Sequence, residues 1–232
     1  MSGTKIKICG LRRSEDIEYV NEYLPDYIGF IFWPKSHRYL SFEAAKVLKD
    51  KLDKRIKAVG VFVDEDIDKV IKAANDDVFD IVQLHGDEDA EYIRRVKEAT
   101  GKPVIKAIKI KNEEINSVVE SDNRKDASTC EKIDNVVIDN NVINEKEKVE
   151  DVADYLLIDS GMGSGKTFDW TKKFDFGDKP FFIAGGIDAG NIKEAEDIFK
   201  PYGIDLSSSV ETDKVKDPEK IRQVIEAIRK ND

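Results

Sequence analysis

The chain has 232 residues, 37% of them charged, and its formal net charge at pH 7 is −10. Such an acidic surface repels phosphates, so neither nucleic acid nor an anionic membrane is an expected partner. No stretch approaches the roughly 18 apolar residues of a membrane span, and residues 1–7 lack the apolar part of a signal peptide, so we expect a cytoplasmic protein.

Short apolar runs alternate along the chain with charged amphipathic segments. The predicted strands, in chain order, cover residues 5–9, 27–32, 58–63, 79–84, 104–108, 155–158, 180–184 and 204–206. Predicted helices begin at Ser14 and Ser41 and cover residues 66–75, 88–99, 113–120, 187–199 and 219–230, with Pro218 at the start of the last one.

Strict alternation of strands and helices predicts parallel strands joined by right-handed crossovers, which is the α/β class. An open doubly wound sheet satisfies the same pattern. Eight units of roughly thirty residues favour closure into a (β/α)8 TIM barrel, and we expect one domain over residues 1–232.

One segment interrupts this alternation. Residues 121–151 are polar and lie between the fifth and sixth predicted strands. We interpret them as an elaborated surface crossover. A partner-binding insertion and an extra strand at residues 135–139 remain open.

Two cysteines, Cys9 and Cys130, have no metal-ligand spacing, and no metal site is predicted. A disulfide between them is possible but has no support in the sequence. A free cysteine is most often a small buried apolar residue.

Active sites of parallel barrels lie at the carboxyl ends of the strands. Gly185 and Gly186 follow the seventh predicted strand, and Ser207, Ser208 and Ser209 follow the eighth. Loops at these two positions commonly bind phosphate through backbone N–H groups. The glycine-rich segment 161–167 resembles a nucleotide-binding loop but has three residues, not four, between Gly161 and Gly165, so we interpret it as a flexible lid.

Several motifs, taken together, resemble the phosphoribosylanthranilate isomerase family. They occur in the family's order and span nearly the whole chain: KICGL at 7–11, GFIF at 29–32, KSHRY at 35–39, GVFV at 60–63, QLHG at 83–86, DSGMGSGKTFDW at 159–170, AGGI at 184–187 and DLSSSVE at 205–211. The resemblance implies an Amadori rearrangement of a phosphorylated aminoaldose to an aminoketose in tryptophan biosynthesis, with no cofactor.

The resemblance also implies roles for individual residues. Asp159 would be the general acid that protonates the ring oxygen, and Cys9 the general base that removes the C2′ proton. Arg38 would bind the anthranilate carboxylate. Lys7 shares the strand face of Cys9, so we expect it either to lower the pKa of that thiol or to pair with an interior carboxylate.

Two further polar residues at strand ends, His85 and Asp205, are expected to contact substrate; a structural hydrogen bond for His85 and a buried ion pair for Asp205 are the alternatives. The chain departs from the family at His37, where Pro is usual, and at Ser209, where Gly is usual. We therefore expect a less rigid Arg38 loop, and strain at Ser209 if that position needs a positive φ or close approach to the phosphate.

Two other functions fit parts of the pattern. The histidine-pathway sugar isomerase performs the same rearrangement, but we find neither its aspartate pair nor its two-fold repeat here. A non-catalytic phosphate-binding barrel is disfavoured because both Cys9 and Asp159 are present. The expected partner is a small phosphorylated sugar, and the chain is expected to be a monomer or homodimer.

Overall fold

The computed structural model describes residues 3–109, 148–159 and 178–229. Within them, eight parallel strands close into a barrel in the order of the sequence. These strands are β1 (Lys5–Cys9), β2 (Tyr27–Ile31), β3 (Lys57–Phe62), β4 (Ile81–Leu84), β5 (Val104–Lys109), β6 (Tyr155–Asp159), β7 (Phe181–Ala184) and β8 (Gly203–Leu206). The predicted TIM barrel is confirmed, and each predicted strand is present with ends shifted by at most two residues.

Helices follow the strands on the outside of the barrel. They are α1 (Ser14–Tyr23), α2 (Phe42–Lys49), α3 (Ile67–Asn75), α4 (Ala90–Thr100), α5 (Val149–Val152), α6 (Ile192–Phe199) and α7 (Pro218–Arg229). The side chains of Ser41, Asp66 and Asp89 each accept a hydrogen bond from a backbone N–H in the first turn of the following helix. These caps satisfy donors that a helix terminus leaves unpaired, which explains why the helices begin there.

Side chains of each strand alternate between two apolar layers. One layer packs the outside of the strands against the helices and contains, for example, Ile8, Val82 and Ile158. The other fills the barrel with residues such as Cys9, Ile81 and Leu157. Because side chains two apart on a strand share a face, Lys7 and Gln83 also point inside.

A short antiparallel hairpin after β8 was not predicted. It consists of β9 (Glu211–Thr212) and β10 (Val215–Lys216), preceded by a 3-10 helix at Ser208–Val210. Strands of two residues are too short to show an alternating pattern, so sequence periodicity gives no signal for them.

Several predictions lie wholly or largely outside the described residues. They are the helix at 113–120, the strand at 135–139, Cys130, the loop at 161–167 and most of the 121–151 segment. At the end of that segment, α5 buries Val149 in the layer between strands and helices. Val149 therefore packs against the barrel, while Asp151 in the same helix is exposed.

Candidate active site

A continuous hydrogen-bonded ladder connects three of the polar residues predicted at strand ends. Asp159 on β6 pairs in register with Ala184 on β7, Ala184 with Asp205 on β8, and Asp205 with Lys7 on β1. All four residues lie on the inner face of the barrel. The fold thus brings sequence-distant residues to one level near the carboxyl ends of the strands.

Lys7 and Asp205 form an ion pair inside the barrel. Lys7 Nζ lies 3.0 Å from Asp205 Oδ1, and the two side chains are 0% and 8% exposed. Burial alone would lower the pKa of Lys7, but the charges of Asp205 and Cys9 outweigh it and raise that pKa above its ordinary value. The pairing expected as the alternative role of Lys7 and Asp205 is therefore present, and Lys7 has no solvent-facing surface.

Cys9 is a buried free thiol beside this pair. Burial raises its pKa; Lys7 and Lys216 act in the opposite direction but do not overcome burial and the charge of Asp205. Lys7 therefore acts to lower the pKa of Cys9, as expected. The pKa of Cys9 is nevertheless raised overall, because burial and the charge of Asp205 outweigh that effect. Gly29 pairs with Cys9 in register, and a Cβ there would lie 2.7 Å from Cys9 Sγ, so only glycine leaves the thiol its present position.

Asp159 contacts a histidine that itself contacts an amide. Asp159 Oδ2 lies 3.1 Å from His85 Nε2, and the two side chains are 26% and 23% exposed. His85 Nδ1 lies 3.0 Å from Nε2 of Gln83, which is 1% exposed. The polar row Gln83–His85–Asp159 therefore runs from the barrel interior to its open end, and it supplies the structural hydrogen bond anticipated for His85.

A buried ion pair fixes the loop that follows His85. Lys106 Nζ contacts Glu88 Oε2 at 2.8 Å and donates to the carbonyl oxygen of Gly86 at 2.5 Å. Glu88 in turn accepts from the backbone N–H groups of Asp64 and Gly86. These bonds join the loops after β3 and β4 to strand β5, which restricts the position of His85.

Arg38 is held by Glu211, and Glu211 is in turn held by Lys216; sequence reasoning assigned neither residue to the site. Arg38 Nε and Nη2 donate to the two carboxylate oxygens of Glu211, both at 2.7 Å. Lys216 Nζ contacts Glu211 Oε1 at 2.8 Å and donates to the carbonyl oxygen of Ser207 at 2.9 Å. Glu211 was visible only as the last residue of a family motif, and Lys216 gave no signal because the hairpin that buries it was not predicted.

Among the described residues none is bonded to Arg38 Nη1, so within them the guanidinium edge formed by Nη1 and Nη2 is available for a second carboxylate. Gly10 has a φ of +86° and lies directly under the arginine, where an added Cβ would contact Arg38 Cδ. The loop also has internal bonds, because Arg38 N donates to Ser36 Oγ at 3.1 Å. These contacts hold Arg38 in place although His37 occupies the position where proline was expected.

Glu211 provides a testable pH dependence. Burial would raise its pKa, but hydrogen bonds and charge from Arg38 and Lys216 lower it to about 2 from an ordinary 4.5. The ion-pair cluster of Arg38, Glu211 and Lys216 therefore stabilises the folded protein above pH 4.5, and this stabilisation is lost as the pH falls toward about 2. We expect Glu211→Gln to flatten this loss by on the order of 1–2 kcal/mol, allowing for partial exposure.

The measurement is the free energy of unfolding in urea between pH 5 and pH 2, for wild type and Glu211→Gln, with Glu98→Gln at an exposed position as a control. Equal acid sensitivity of wild type and Glu211→Gln would contradict the assignment of this pKa to the cluster.

The predicted phosphate loops are adjacent because β7 pairs with β8. Gly185 and Gly186 have φ angles of +95° and +67°, a region that favours glycine. Ser207 Oγ donates to the carbonyl oxygen of Cys9 at 3.1 Å, which ties this loop to the end of β1. Ser209 lies in the 3-10 helix and is not among the described residues with positive φ. The condition of a positive φ at Ser209 is therefore not met, and strain caused by close approach of the phosphate stays a prediction.

Two classes of site were also sought in the described ranges. No cluster of three or more His, Cys, Asp or Glu side chains there has the geometry to hold a metal ion. Among the helices of the same ranges, none is long and apolar enough to cross a membrane.

Comparison with known proteins gives consistent matches over the whole barrel. The family model described as N-(5'phosphoribosyl)anthranilate (PRA) isomerase matches residues 6–141 and 119–227. A relative from Endomicrobium trichonymphae, named N-(5'-phosphoribosyl)anthranilate isomerase, is 40% identical over 225 residues, covering 97% of this chain and 98% of the relative.

Two solved structures extend this comparison. A phosphoribosyl anthranilate isomerase in complex with reduced 1-(O-carboxyphenylamino)-1-deoxyribulose 5-phosphate superposes with a TM-score of 0.74 at 28% identity, covering 98% of this chain and 99% of the other. A Thermotoga maritima structure, titled as monomers generated from a dimeric phosphoribosylanthranilate isomerase, gives the same TM-score, identity and coverage.

Proposed function

Because the chain belongs to the N-(5'-phosphoribosyl)anthranilate isomerase family, we propose that it converts N-(5'-phosphoribosyl)anthranilate into the 1-deoxyribulose 5-phosphate aminoketose, a step of tryptophan biosynthesis. The observation that carries this proposal is the joint presence, at the carboxyl ends of the barrel strands, of the Asp159–His85 pair and the Cys9–Lys7–Asp205 cluster. The Asp159–His85 pair is suited to donating a proton, and the cluster that contains Cys9 is suited to accepting one.

The reaction requires a proton to be delivered and another removed. Asp159 protonates the ring oxygen, the bond between that oxygen and C1′ breaks, and the substrate nitrogen forms a double bond to C1′. Cys9, as its thiolate, removes the proton from C2′, which gives an enolamine that tautomerises to the aminoketone. Atoms and electrons balance within the substrate, so no redox partner is consumed.

Cys9 must lose its proton before it acts as a base. Burial raises its pKa, and the adjacent ammonium of Lys7 opposes that rise. Lys7, which we also counted among the expected substrate-binding residues, supports catalysis by stabilising the thiolate. Asp205 in turn keeps Lys7 charged within the barrel.

The two ends of the substrate carry negative charges that the site can bind. The Nη1/Nη2 edge of Arg38, which Glu211 does not cover, is suited to the anthranilate carboxylate. The loops at Gly185–Gly186 and Ser207–Ser209 are suited to the phosphate. The ligand of the solved relative carries both a carboxyphenyl and a phosphate group, which supports this arrangement.

A turnover assay tests the proposed function. Purified protein is mixed with N-(5'-phosphoribosyl)anthranilate, and the change in anthranilate-type fluorescence is followed; the histidine-pathway aminoaldose is assayed alongside. Turnover of the first substrate alone is expected. Binding without turnover would favour the non-catalytic barrel, and turnover of the second substrate alone would favour the histidine-pathway isomerase.

The phosphate assignment predicts a large effect at Gly186. In Gly186→Val the branched side chain stands beside the proposed phosphate and strains a backbone at φ +67°. We expect KM to rise at least about tenfold, equivalent to about 1.4 kcal/mol. Gly101→Val is the matched control, because Gly101 has a φ of +64° at the end of α4 with open space around it.

Both variants carry similar backbone strain, so both should lose similar stability. Only Gly186→Val should raise KM or weaken the binding of a phosphorylated product analogue. Unchanged affinity in a folded Gly186→Val protein would show that the phosphate binds elsewhere.

Three predictions about partners and location remain part of this proposal. The net charge of −10 supports the absence of a nucleic-acid partner. A cytoplasmic location accords with a biosynthetic role. The dimeric relative supports a homodimer as one of the two expected states, and sedimentation analysis of the purified chain distinguishes it from a monomer.

A further inference from the structure

Gln83 has an unusual hydrogen-bonding state. Its side chain is 1% exposed, and among the described residues it is the one whose buried side-chain oxygen, Oε1, has no partner. Its Nε2 instead faces His85 Nδ1 at 3.0 Å. Leaving a buried oxygen unpaired costs about 1–3 kcal/mol, so an amide at this position needs an explanation.

The direction of this bond fixes the proton on His85. An amide NH2 group can only donate, so Nδ1 must accept and carries no proton. The single proton of the neutral imidazole is then on Nε2, which lies 3.1 Å from Asp159 Oδ2 and donates to it. We propose that Gln83 is a positioning residue that selects the neutral, Nε2-protonated form of His85.

Rotating the amide by half a turn does not give an equivalent site. Oε1 would then face Nδ1, and the NH2 group would occupy the buried position where Oε1 now has no partner. Buried donors without partners are rarer than buried carbonyl oxygens without partners. The orientation that donates to His85 is therefore the favoured one.

This selection matters for the reaction, and this step of the argument rests on the proposed function. A neutral His85 donates to Oδ2 of Asp159 and orients the carboxyl group that gives its proton to the substrate. An imidazolium at the same place would stabilise the Asp159 carboxylate and remove the general acid. By occupying Nδ1 with a donor, Gln83 opposes the second proton that would create that imidazolium.

The first test reads the proton positions directly. The chain has two histidines, His37 and His85, so His37→Gln leaves a single imidazole signal in the full-length protein. Nitrogen-15 NMR of that protein at neutral pH is expected to show a protonated Nε2 and an unprotonated Nδ1. A proton on Nδ1, in either the other tautomer or the imidazolium, would overturn the proposal without any variant of Gln83 having to fold.

The second test reverses the hydrogen bond. In Gln83→Glu the proton shared with His85 moves to the imidazole, because a carboxyl group is the stronger acid, with an ordinary pKa of about 4.3 against about 6.5. We expect a protonated Nδ1 and a fall in kcat on the order of 10², with KM little changed. Gln83→Met removes the bond at similar volume, so Nδ1 is no longer held as an acceptor; we expect a partly protonated Nδ1 and a smaller fall in kcat than in Gln83→Glu.

A purely structural role predicts a different result. Both variants would then lose stability, while the proton positions would stay as in wild type and kcat of the folded fraction would be retained; this outcome would overturn the proposal. The proposal about the protonation of His85 can fail independently of the proposed function, because the NMR measurement requires no turnover. Loss of turnover in wild type would leave the tautomer result standing.

Discussion

Replacing Asp159 by Asn is expected to lower kcat for N-(5'-phosphoribosyl)anthranilate by about 10²–10⁴, the usual contribution of a positioned acid or base. The amide keeps the size of the side chain and its contact with His85, but it has no proton to give to the ring oxygen. Folding should be nearly unchanged, because Asp159 is 26% exposed.

Asp154→Asn is a matched control at the other end of the same strand, directly before its first residue. Asp154 directly precedes β6, pairs with Lys97 at 2.8 Å and accepts from the backbone N–H of Val104, whereas Asp159 ends that strand. We expect the control to lose some stability and keep its kcat. Near-normal turnover in Asp159→Asn would exclude this residue as the general acid.

Cys9→Ala should cause a loss of similar size by removing the proposed base. Because both residues act in one rearrangement, the double variant should lose less than the product of the two single effects. The measurement is kcat and KM for the two single variants and the double variant. Full activity in Cys9→Ala would show that another group removes the C2′ proton.

The sequence predicted the barrel well because its strands are marked by local composition. Each apolar run, such as the one ending at Cys9 or at Leu84, is short, is followed by a charged helix and needs no tertiary information to be recognised. Closure then follows from the count of eight parallel units. The positions of Cys9, Asp159 and Asp205 at one end of the barrel follow from the same topology.

The partners within the site could not be predicted in this way. Whether the pKa of Cys9 is raised or lowered overall depends on the balance between burial and the charges of Lys7 and Asp205. Only the three-dimensional arrangement determines that balance. The clamp of Glu211 on Arg38 joins residues 173 positions apart. The orientation of the Gln83 amide depends on which groups surround it, and the pattern of strand residues carries no information about that.

Replacing Asp205 by Asn is expected to destabilise the protein by about 3–5 kcal/mol at neutral pH. The amide preserves the shape of the carboxylate and one hydrogen-bond acceptor, but it leaves the fully buried charge of Lys7 without its counter-ion. Breaking a buried pair in this way is costly because the remaining charge stays desolvated. Lys7→Met combined with Asp205→Leu should recover much of the loss, since apolar residues of similar volume often replace a buried pair with little cost.

The pH dependence of stability separates this explanation from simple loss of packing. In wild type the folded-state pKa of Lys7 lies above its unfolded value, so the pair contributes fully below the unfolded pKa and its contribution falls as the pH rises through the folded one. In Asp205→Asn the main force raising that pKa is gone and burial lowers it below the unfolded value. The folded state then binds fewer protons than the unfolded state, so the stability of the variant should rise between pH 7 and pH 10. Urea unfolding of wild type, Asp205→Asn and the double variant across this range measures the effect. A constant difference between Asp205→Asn and the double variant at every pH would mean that the uncompensated charge of Lys7 is not the cause of the loss.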